Sequence, residues 1–389
     1  MLPLSPRIRA TAEPAIPSVR GWAARYAGQA GPPIDLTQAV PGYPPHPDLL
    51  AKLAEVAGSR AAAGYGPIDG DLALREALAE DLAGCYGAAF GAGDIAITAG
   101  CNLAFSMVMT VLAGQGEPVI LPTPWYFNHR MALEMAGIPA LPLPCRAADG
   151  FIPDPDRLEA LLRQGARALV LVSPNNPTGA VYPAALIARC AELCRRHGAW
   201  LVLDETYRDF LPAEASPPHA LFQDSSWRDG VIHLYSFSKA YCVPGHRVGA
   251  IAAGPAFRAE LAKALDTQQI CPPRAAQAAL TWAIPALRDW RGANRAIMAE
   301  RATAFHHVAS RLPGWRLDSL GAYFAYLRVP EDGPDAMALA EALATERGLL
   351  ALPGPFFGPG QERHIRLAFA NAELPIIAAI PNRLTEDLP

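Results

Sequence analysis

Lysine is scarce in this sequence. There are only three, Lys52, Lys239 and Lys263, against thirty arginines. Lys52 and Lys263 occupy polar positions of helix-like stretches, where a solvated surface lysine is the ordinary interpretation. Lys239 instead follows a probable buried strand and lies between small residues and an apolar run. Because burial lowers the pKa of an ammonium group and the neutral amine is a nucleophile, Lys239 is the lysine whose position favours chemistry.

Other absences exclude whole classes of protein. No apolar run approaches the roughly 18 residues that span a bilayer, and the first ten residues lack the apolar core of a signal peptide. The net charge of −4 gives no reason to expect nucleic acid or a membrane surface as a partner. The seven cysteines contain no Cys-x-x-Cys pair and the nine histidines show no metal-ligand spacing. We therefore expect a soluble cytoplasmic protein with reduced thiols, no metal and small-molecule partners.

The order of elements between about residues 94 and 253 predicts an α/β fold. Short apolar, β-branched runs alternate with helix-like segments, and this alternation is typical of a mainly parallel sheet with helices on both faces. Strands are predicted at 95–97, 119–121, 168–172, 200–203 and 231–234, and helices at 103–112, 127–136 and 184–197. A further strand at 248–253 follows after a loop too short for a helical crossover, so we expect it to pair antiparallel.

The flanking regions predict a second, smaller unit. Residues 1–48 are rich in proline and glycine, which predicts an extended loop rather than a long helix. Beyond residue 285 the pattern predicts helices at 293–312 and 335–347 and strands at 321–329 and 364–370. We therefore predict a large domain at 49–285 and a small α+β domain made of 1–48 and 286–389.

Polar and aromatic residues follow five predicted strands where each one ends, at 98–102, 122–126, 173–179, 204–207 and 236–239. In a parallel sheet such ends face one crevice, which is where ligands bind. Ser236 and Ser238 place hydroxyls just before Lys239, and Arg247 follows eight residues after it. These residues suggest a phosphate held beside an amine, which points to pyridoxal phosphate as the cofactor.

Six residues resemble, in order and spacing, the motif residues of the class I and II aminotransferases, which are fold-type I pyridoxal-phosphate enzymes: Asn176, Asp204, Tyr207, Lys239, Arg247 and Arg366. The resemblance extends from the loop near Pro41 to the strand near Arg366. It implies a large domain with a mainly parallel seven-stranded sheet flanked by helices. It also implies a smaller α+β domain made of the N-terminal arm and the C-terminal segment.

The resemblance implies three catalytic residues. Lys239 would be the Schiff-base lysine, which later moves a proton between the substrate and the cofactor. Asp204 would face the pyridine nitrogen and keep it protonated; the alternative is that Asp204 caps the segment after it. Tyr207 would hydrogen-bond the phenolic oxygen of the cofactor together with Asn176.

The other cofactor contacts implied by the resemblance are a stacked ring and a composite phosphate site. Tyr126 would stack on the pyridine ring. The phosphate site would combine the start of a helix with hydroxyls and one arginine: Gly100, Cys101, Asn102, Ser236, Ser238 and Arg247. Tyr65 resembles the tyrosine that reaches the phosphate from the other subunit, which implies a homodimer with shared active sites. Without the resemblance, Tyr65 would be an ordinary turn aromatic.

The resemblance places the substrate against Arg366, the arginine that binds an α-carboxylate as a bidentate fork. Asn176 and Ala39 would be further substrate contacts, and Arg363 is a weaker candidate for the carboxylate. The loop that covers the substrate departs from the family pattern Gly-x-Pro-Asp, since Ala39 and Gly42 occupy its first and last positions. The expected surroundings of the substrate side chain are aromatic or neutral: Tyr43, His46, Tyr126 and His129. A neutral, bulky amino acid is therefore the expected substrate.

These roles imply an aminotransferase that moves an amino group between an L-amino acid and a 2-oxo acid in a ping-pong cycle. A pyridoxal-phosphate lyase that eliminates across a carbon–sulfur bond, or an oxidase, shares every cofactor contact and stays an alternative. A cofactor-binding regulatory domain is a remote alternative, because the sheet-bearing region begins too early to follow a DNA-binding module.

Overall fold

The computed structural model describes residues 2–384; residue 1 and residues 385–389, at the ends of the predicted small domain, lie outside the described residues. The strands are, in chain order, Ile34–Asp35 (β1), Ile95–Thr98 (β2), Val119–Thr123 (β3), Ala140–Pro144 (β4), Ala168–Val172 (β5), Trp200–Asp204 (β6), Val231–Ser236 (β7), Gly249–Ala252 (β8), Arg316–Gly321 (β9), Phe324–Arg328 (β10), Leu349–Leu350 (β11), Leu352–Pro353 (β12) and His364–Leu367 (β13). The α-helices are Pro6–Ala10 (α1), Ala15–Ala23 (α2), Pro47–Ala57 (α3), Arg60–Ala63 (α4), Leu72–Tyr86 (α5), Cys101–Leu112 (α6), Phe127–Ala136 (α7), Pro155–Leu162 (α8), Ala184–Arg196 (α9), Phe237–Ala240 (α10), Pro255–Gln268 (α11), Arg274–Ala286 (α12), Arg288–Ala309 (α13), Ala336–Glu346 (α14) and Leu374–Leu384 (α15).

The largest sheet in the described chain has seven strands in the order β2-β8-β7-β6-β5-β3-β4. Strand β8 runs antiparallel to both of its neighbours, and every other pairing in this sheet is parallel. The mainly parallel sheet and the antiparallel strand at 248–253 are thus confirmed.

Strand β4 was not among the strands predicted from the sequence. Its residues, Ala-Leu-Pro-Leu-Pro, include two prolines, and proline has no N–H to donate to a neighbouring strand. In the structure β4 pairs with β3 alone and forms an edge of the sheet. Proline is tolerated at an edge, and the edge position is not visible in the local sequence.

The side chains of the central strands alternate between two buried layers. Leu169 and Leu171 of β5 enter one layer, and Val170 enters the other. Leucines of α5, such as Leu78, cover the first layer, and leucines of α11, such as Leu261, cover the second. Burial on both faces explains why this strand is continuously apolar in the sequence.

A second sheet, antiparallel throughout, has the order β12-β13-β10-β9. Helices α13, α14 and α15 cover it through a third buried cluster, which includes Phe305, Leu339 and Ile377. The N-terminal arm joins this unit, because β1 pairs in parallel with β11.

Two sequence predictions in this unit were wrong. The segment 321–329 is not one strand but the turn and second strand of the hairpin β9–β10, with Ala322 at φ 45° in the turn. Alanine rarely adopts that conformation, so Ala322 itself gives no turn signal. The arm at 1–48 is not wholly extended, because α2 accommodates Pro17 in its first turn, where backbone N–H groups have no intrahelical acceptor.

The two sheets meet at the carboxyl ends of the parallel strands. Asn176, which follows β5, is hydrogen-bonded to Arg366 of β13. Tyr207, which follows β6, packs edge-on against Phe324 of β10 with ring centroids 5.2 Å apart. The crevice between the sheets is therefore built from residues far apart in the chain.

None of the helices within residues 2–384 combines the length and the apolar character that a membrane crossing requires.

Candidate active site

Lys239 follows a fully buried strand and enters the crevice. All six residues of β7 are buried, and Ser236 then caps α10 by accepting a 3.3 Å hydrogen bond from the backbone N–H of Ser238. The Lys239 side chain donates a hydrogen bond to the carbonyl oxygen of Ala39. Burial, reinforced by the charges of Arg366 and Arg247, lowers the pKa of Lys239 to about 8. Its amine is therefore available as a nucleophile or base close to neutral pH.

Asp204 ends β6 and is buried, with two different partners for its two oxygens. Oδ1 accepts a 3.0 Å hydrogen bond from the backbone N–H of Thr206, and Oδ2 lies 3.3 Å from His129 Nε2. His129 in turn stacks on Phe105 at a centroid distance of 3.9 Å, which fixes its ring. Asp204 thus caps the segment after it, as one interpretation predicted, and also lines the crevice.

The start of α6 and Arg247 form an anion-binding arrangement. Gly100 precedes the helix at φ +91°, and a Cβ at this position would collide with the guanidinium of Arg247. Only glycine therefore lets the arginine lie across the helix N-terminus, where free N–H groups favour an anion. Arg247 Nη1 donates a 3.1 Å hydrogen bond to the carbonyl of Pro244, which orients the side chain.

Arg366 is the largest fully buried side chain in the described structure. Its Nη1 donates a 3.0 Å hydrogen bond to Asn176 Oδ1, and its Nη2 donates to the Thr37 carbonyl. The guanidinium lies between the rings of Phe324 and Phe357, 5.0 Å and 5.3 Å from their centroids. Its Nε has no hydrogen-bond partner among the described residues. Burial lowers the pKa of Arg366 to about 10, so the side chain remains a cation near neutral pH and can bind a carboxylate.

Two tyrosines complete the walls. Tyr207 is buried, and burial raises the pKa of its phenol well above the ordinary value, so that it stays a hydrogen-bond donor. The Tyr126 hydroxyl accepts a 2.9 Å hydrogen bond from Asn128 and lies 3.5 Å from Asn102 Oδ1. The Tyr126 ring meets His129 edge-on at 5.1 Å, so Tyr126 stands beside the group that holds Asp204.

A cavity of about 300 Å³ brings together most of the residues that the sequence singled out. Its lining includes twelve of them: Ala39, Cys101, Asn102, Tyr126, Asn176, Asp204, Tyr207, Ser236, Ser238, Lys239, Arg247 and Arg366. Gly100 lies next to it, beneath Arg247. Tyr65 is 81% exposed and is not part of the lining contributed by this chain. Arg363 lies elsewhere and donates to backbone carbonyls of the loop at 330–334.

Three residues expected around the substrate side chain are not in the cavity lining. His129 lies behind Asp204, and Tyr43 and His46 both pack edge-on against Trp290 at 5.8 Å. The lining contains other neutral residues that the sequence did not single out: Ile16, Gln38, Val40, Phe127 and Asn128. Phe127 and Asn128 directly follow the predicted strand end at 122–126, and this position was a usable signal. Ile16 comes from α2, and its local sequence carries no such signal.

The chain matches the family described as aminotransferase class I and II over residues 32–376. It belongs to this family. Among the relatives of this aminotransferase, an aromatic aminotransferase of Arabidopsis thaliana is 26% identical over 99% of the chain and 96% of its own length. An arginine–pyruvate transaminase of Pseudomonas aeruginosa is 30% identical, with 80% of this chain and 79% of the relative covered.

A solved structure of an aspartate aminotransferase from Thermus thermophilus, determined with maleate, superposes on this aminotransferase with a TM-score of 0.89. The sequence identity is 25%, and the match covers 98% of this chain and 99% of the other. The family and the structural likeness confirm the predicted fold-type I architecture and the predicted transaminase activity.

Aminotransferases of this family use pyridoxal 5′-phosphate, and the cavity fits that cofactor. It offers a lysine amine of lowered pKa, a buried carboxylate at Asp204 and an anion-binding arrangement at Gly100 and Arg247. Arg366 supplies a separate buried cation with an unpaired N–H. Within residues 2–384, by contrast, no group of three or more His, Cys, Asp or Glu side chains is placed to hold a metal ion.

Proposed function

We propose that this transaminase moves the amino group of a neutral, bulky L-amino acid to a 2-oxo acid in a ping-pong cycle. One observation carries the proposal: a single cavity is lined by the Lys239 amine, the Asp204 carboxylate and the Arg366 guanidinium. Such a cavity can hold an α-carboxylate at one side while a base and a cofactor ring occupy the other.

Asp204, Arg247 and Tyr126 orient the cofactor in this proposal. The cofactor supplies a reactive carbonyl and a ring that takes up the electrons released when a substrate proton leaves. Asp204, held by His129 and Thr206, presents a negative charge to the ring nitrogen and favours its protonated form. Arg247 binds the phosphate together with Ser236, Ser238 and the N-terminal amides of α6, including those of Cys101 and Asn102. Tyr126 covers one face of the ring.

Lys239 is proposed to hold the cofactor and then to carry the proton. A pKa of about 8 would allow Nζ to take a proton from the substrate α-carbon and to deliver it to the cofactor. Tyr207, kept neutral by burial, donates a hydrogen bond to the phenolic oxygen of the cofactor. Asn176 is proposed to share that role while its Oδ1 orients Arg366.

The substrate side chain is proposed to lie against the neutral part of the lining. Within the described chain, the positively charged lining residues are Lys239, Arg247 and Arg366, and each already has a role. Other lining residues have apolar or amide side chains: Ile16, Gln38, Val40, Phe127 and Asn128. The carbonyl of Ala39 lies beside the Lys239 amine and is proposed to contact the substrate. An acidic side chain would find no cation of its own there, so a neutral one is favoured.

The active unit is proposed to be a homodimer in which Tyr65 reaches the phosphate site of the partner. Tyr65 is 81% exposed, and Ile68 and Ile270 are also exposed for apolar residues. Gln269 connects these segments to the phosphate end of the cavity, because its amide bonds the Ile68 carbonyl and the backbone N–H of Ala99. Exposed apolar groups beside a site are a common sign of an interface.

The domain division and the compartment are also proposals. The seven-stranded sheet with its helices supports a large domain at 49–285, and the pairing of β1 with β11 supports a small domain made of 1–48 and 286–389. The seven cysteines are all free, which supports a reducing cytoplasmic location.

In the test, single amino acids are added to the holoenzyme without an oxo acid. The absorbance of the cofactor is recorded as it gains the amino group. Phenylalanine and leucine are expected to convert the cofactor at least tenfold faster than aspartate, and the Lys239→Ala variant is expected to convert none. Faster conversion by aspartate would overturn the neutral-substrate proposal. Failure of every amino acid, or release of ammonia without conversion, would overturn the proposed reaction.

A further inference from the structure

A second cavity lies on the other side of the segment that carries Tyr207. Tyr207 lines the active-site cavity, whereas the next two residues, Arg208 and Asp209, line this one. The second cavity has a volume of about 250 Å³, and its opposite wall is the first part of α13. It shares no lining residue with the catalytic cavity, so the roles proposed above do not account for it.

Three arginines of α13 face this cavity from one side of the helix. Arg288, Arg291 and Arg295 are spaced by three and then four residues, which places them on a single face. Arg208 adds a fourth guanidinium from the opposite wall. The acidic groups of the lining are Asp81 and Asp209, so the cavity has an excess of two positive charges.

The two aspartates are already engaged by the two inner arginines. Asp81 accepts hydrogen bonds of 2.6 Å from Arg208 and 2.7 Å from Arg291, and Asp209 accepts one of 3.0 Å from Arg291. The second oxygen of Asp209 accepts a 2.8 Å hydrogen bond from Tyr235. These bonds hold the inner guanidinium groups in place, so an incoming ligand need not order them.

The remaining donors lack acceptors. Arg208 Nη1 and Arg291 Nε are buried and have no hydrogen-bond partner in the described part of the chain. The Arg208 side chain is only 2% exposed, so water has little access to it. Arg288 and Arg295 are exposed at the rim, and neither forms an ion pair with any residue within 2–384. Buried guanidinium N–H groups without acceptors are costly, and an oxyanion satisfies several of them at once.

We propose that this cavity, called here the arginine cavity, binds a small multivalent oxyanion between Arg288 and Arg295, with Arg208 and Arg291 beneath it. A phosphate ion, which carries between one and two negative charges near neutral pH, would offset most of the excess charge of the lining. A polycarboxylate offers the same forked geometry to guanidinium groups. The shared chemistry is an oxyanion of two or more charges, and the test separates the two sources.

The test uses the holoenzyme, in which the phosphate of the cofactor fills its own site and removes competition there. Inorganic phosphate and citrate are titrated separately at constant ionic strength by calorimetry, and the unfolding temperature is followed in parallel. The wild type is expected to show saturable binding of at least one of them. The double variant Arg288→Gln/Arg295→Gln is expected to bind on the order of tenfold more weakly or worse.

A matched control removes the same charge elsewhere. Arg195 and Arg311 are exposed arginines outside this cavity, and Arg195→Gln/Arg311→Gln is expected to bind like the wild type. Binding of phosphate alone assigns a phosphate ligand, and binding of citrate alone assigns a carboxylate ligand. Absence of saturable binding of both anions to the wild type would overturn the proposal, and so would equal affinity in the Arg288→Gln/Arg295→Gln variant. Both outcomes are measured as anion binding, without catalytic turnover, and are therefore independent of the proposed substrate.

Discussion

Arg366 Nη1 donates a hydrogen bond of 3.0 Å to Asn176 Oδ1, and this bond joins residues 190 positions apart in the chain. Arg366 belongs to the antiparallel sheet, and Asn176 belongs to the loop after β5 of the parallel sheet. The bond therefore fixes the guanidinium at the boundary of the two sheets while its Nε remains unpaired. A buried cation that is oriented but not saturated is prepared for an anionic substrate group.

Replacing Arg366 by lysine is expected to keep the charge but remove the forked geometry. We expect kcat/KM for the amino acid to fall by roughly 10²-fold, mainly through KM, because two parallel hydrogen bonds to the carboxylate are lost. Steady-state kinetics measures the effect, and the absorbance of the bound cofactor checks that its site is intact. Arg363→Lys is the matched control, since Arg363 donates to backbone carbonyls outside the cavity. Equal losses in the two variants would contradict a role for Arg366 in carboxylate binding.

Gly100→Ala is expected to weaken cofactor binding by displacing Arg247. The added Cβ would collide with the guanidinium, and the φ of +91° is itself strained for alanine. Gly116→Ala separates the two effects, because Gly116 has a similar φ of +85° but open space around its Cβ. Both variants are expected to lose stability, on the order of 1–3 kcal/mol, because a positive φ is strained for alanine. Only Gly100→Ala is expected to raise the Kd for pyridoxal phosphate, measured by fluorescence titration of the apoenzyme; unchanged affinity would contradict the proposed phosphate site.

The rate at which the apoenzyme captures pyridoxal phosphate is expected to rise with pH through about 8, the pKa of Lys239. The neutral amine is the reactive form, so the rate follows its fraction. Arg366 is one of the two cations that lower this pKa, after burial. In Arg366→Gln the ammonium is therefore stabilised, its pKa rises, and the profile should move to higher pH. Stopped-flow absorbance measures the profile, and a shift to lower pH would have the wrong sign for this account.

Much of the site was predictable because its residues follow strands. Asp204 is the last residue of a parallel strand, and Asn176, Tyr207 and Lys239 lie a few residues beyond the ends of such strands; period and composition locate these ends in the sequence. The Arg366 position was predictable only through the family resemblance. Nothing in its local sequence indicates the burial that the structure shows, with the guanidinium between two aromatic rings.

The parts that the sequence did not reveal depend on contacts between distant segments. Ile16 reaches the cavity from a helix of the N-terminal arm, and His129 supports Asp204 from helix α7. The edge strand β4 and the turn at Ala322 violate the usual residue preferences and are tolerated by their tertiary surroundings. Local periodicity contains no information about such surroundings.

Glu205 predicts a pH dependence of stability that is separate from catalysis. Its Oε2 lies 3.1 Å from His233 Nε2 and 3.3 Å from His219 Nε2, and the Tyr86 hydroxyl donates to it. Burial by itself raises the pKa of Glu205, but the charges and hydrogen bonds of the two histidines outweigh it and hold the pKa well below the usual range. A lowered pKa means that the unfolded chain binds the proton more readily, so this stabilisation is present above about pH 4.3 and is lost as the pH falls.

Glu205→Gln is therefore expected to lower the urea midpoint of unfolding at pH 7, by an amount equivalent to roughly 3 kcal/mol for a broken buried pair. The gap between wild type and variant should narrow as the pH falls below about 4.3, because the wild type then loses the same stabilisation. His233 also makes the folded protein less stable in acid. Burial lowers its pKa, so the unfolded chain binds the proton more readily than the folded protein does. Glu192→Gln removes an exposed carboxylate that pairs with Arg196 and should leave the midpoint nearly unchanged. If the difference in urea midpoint between the wild type and Glu205→Gln grew as the pH fell, Glu205 would not be ionised in the folded protein.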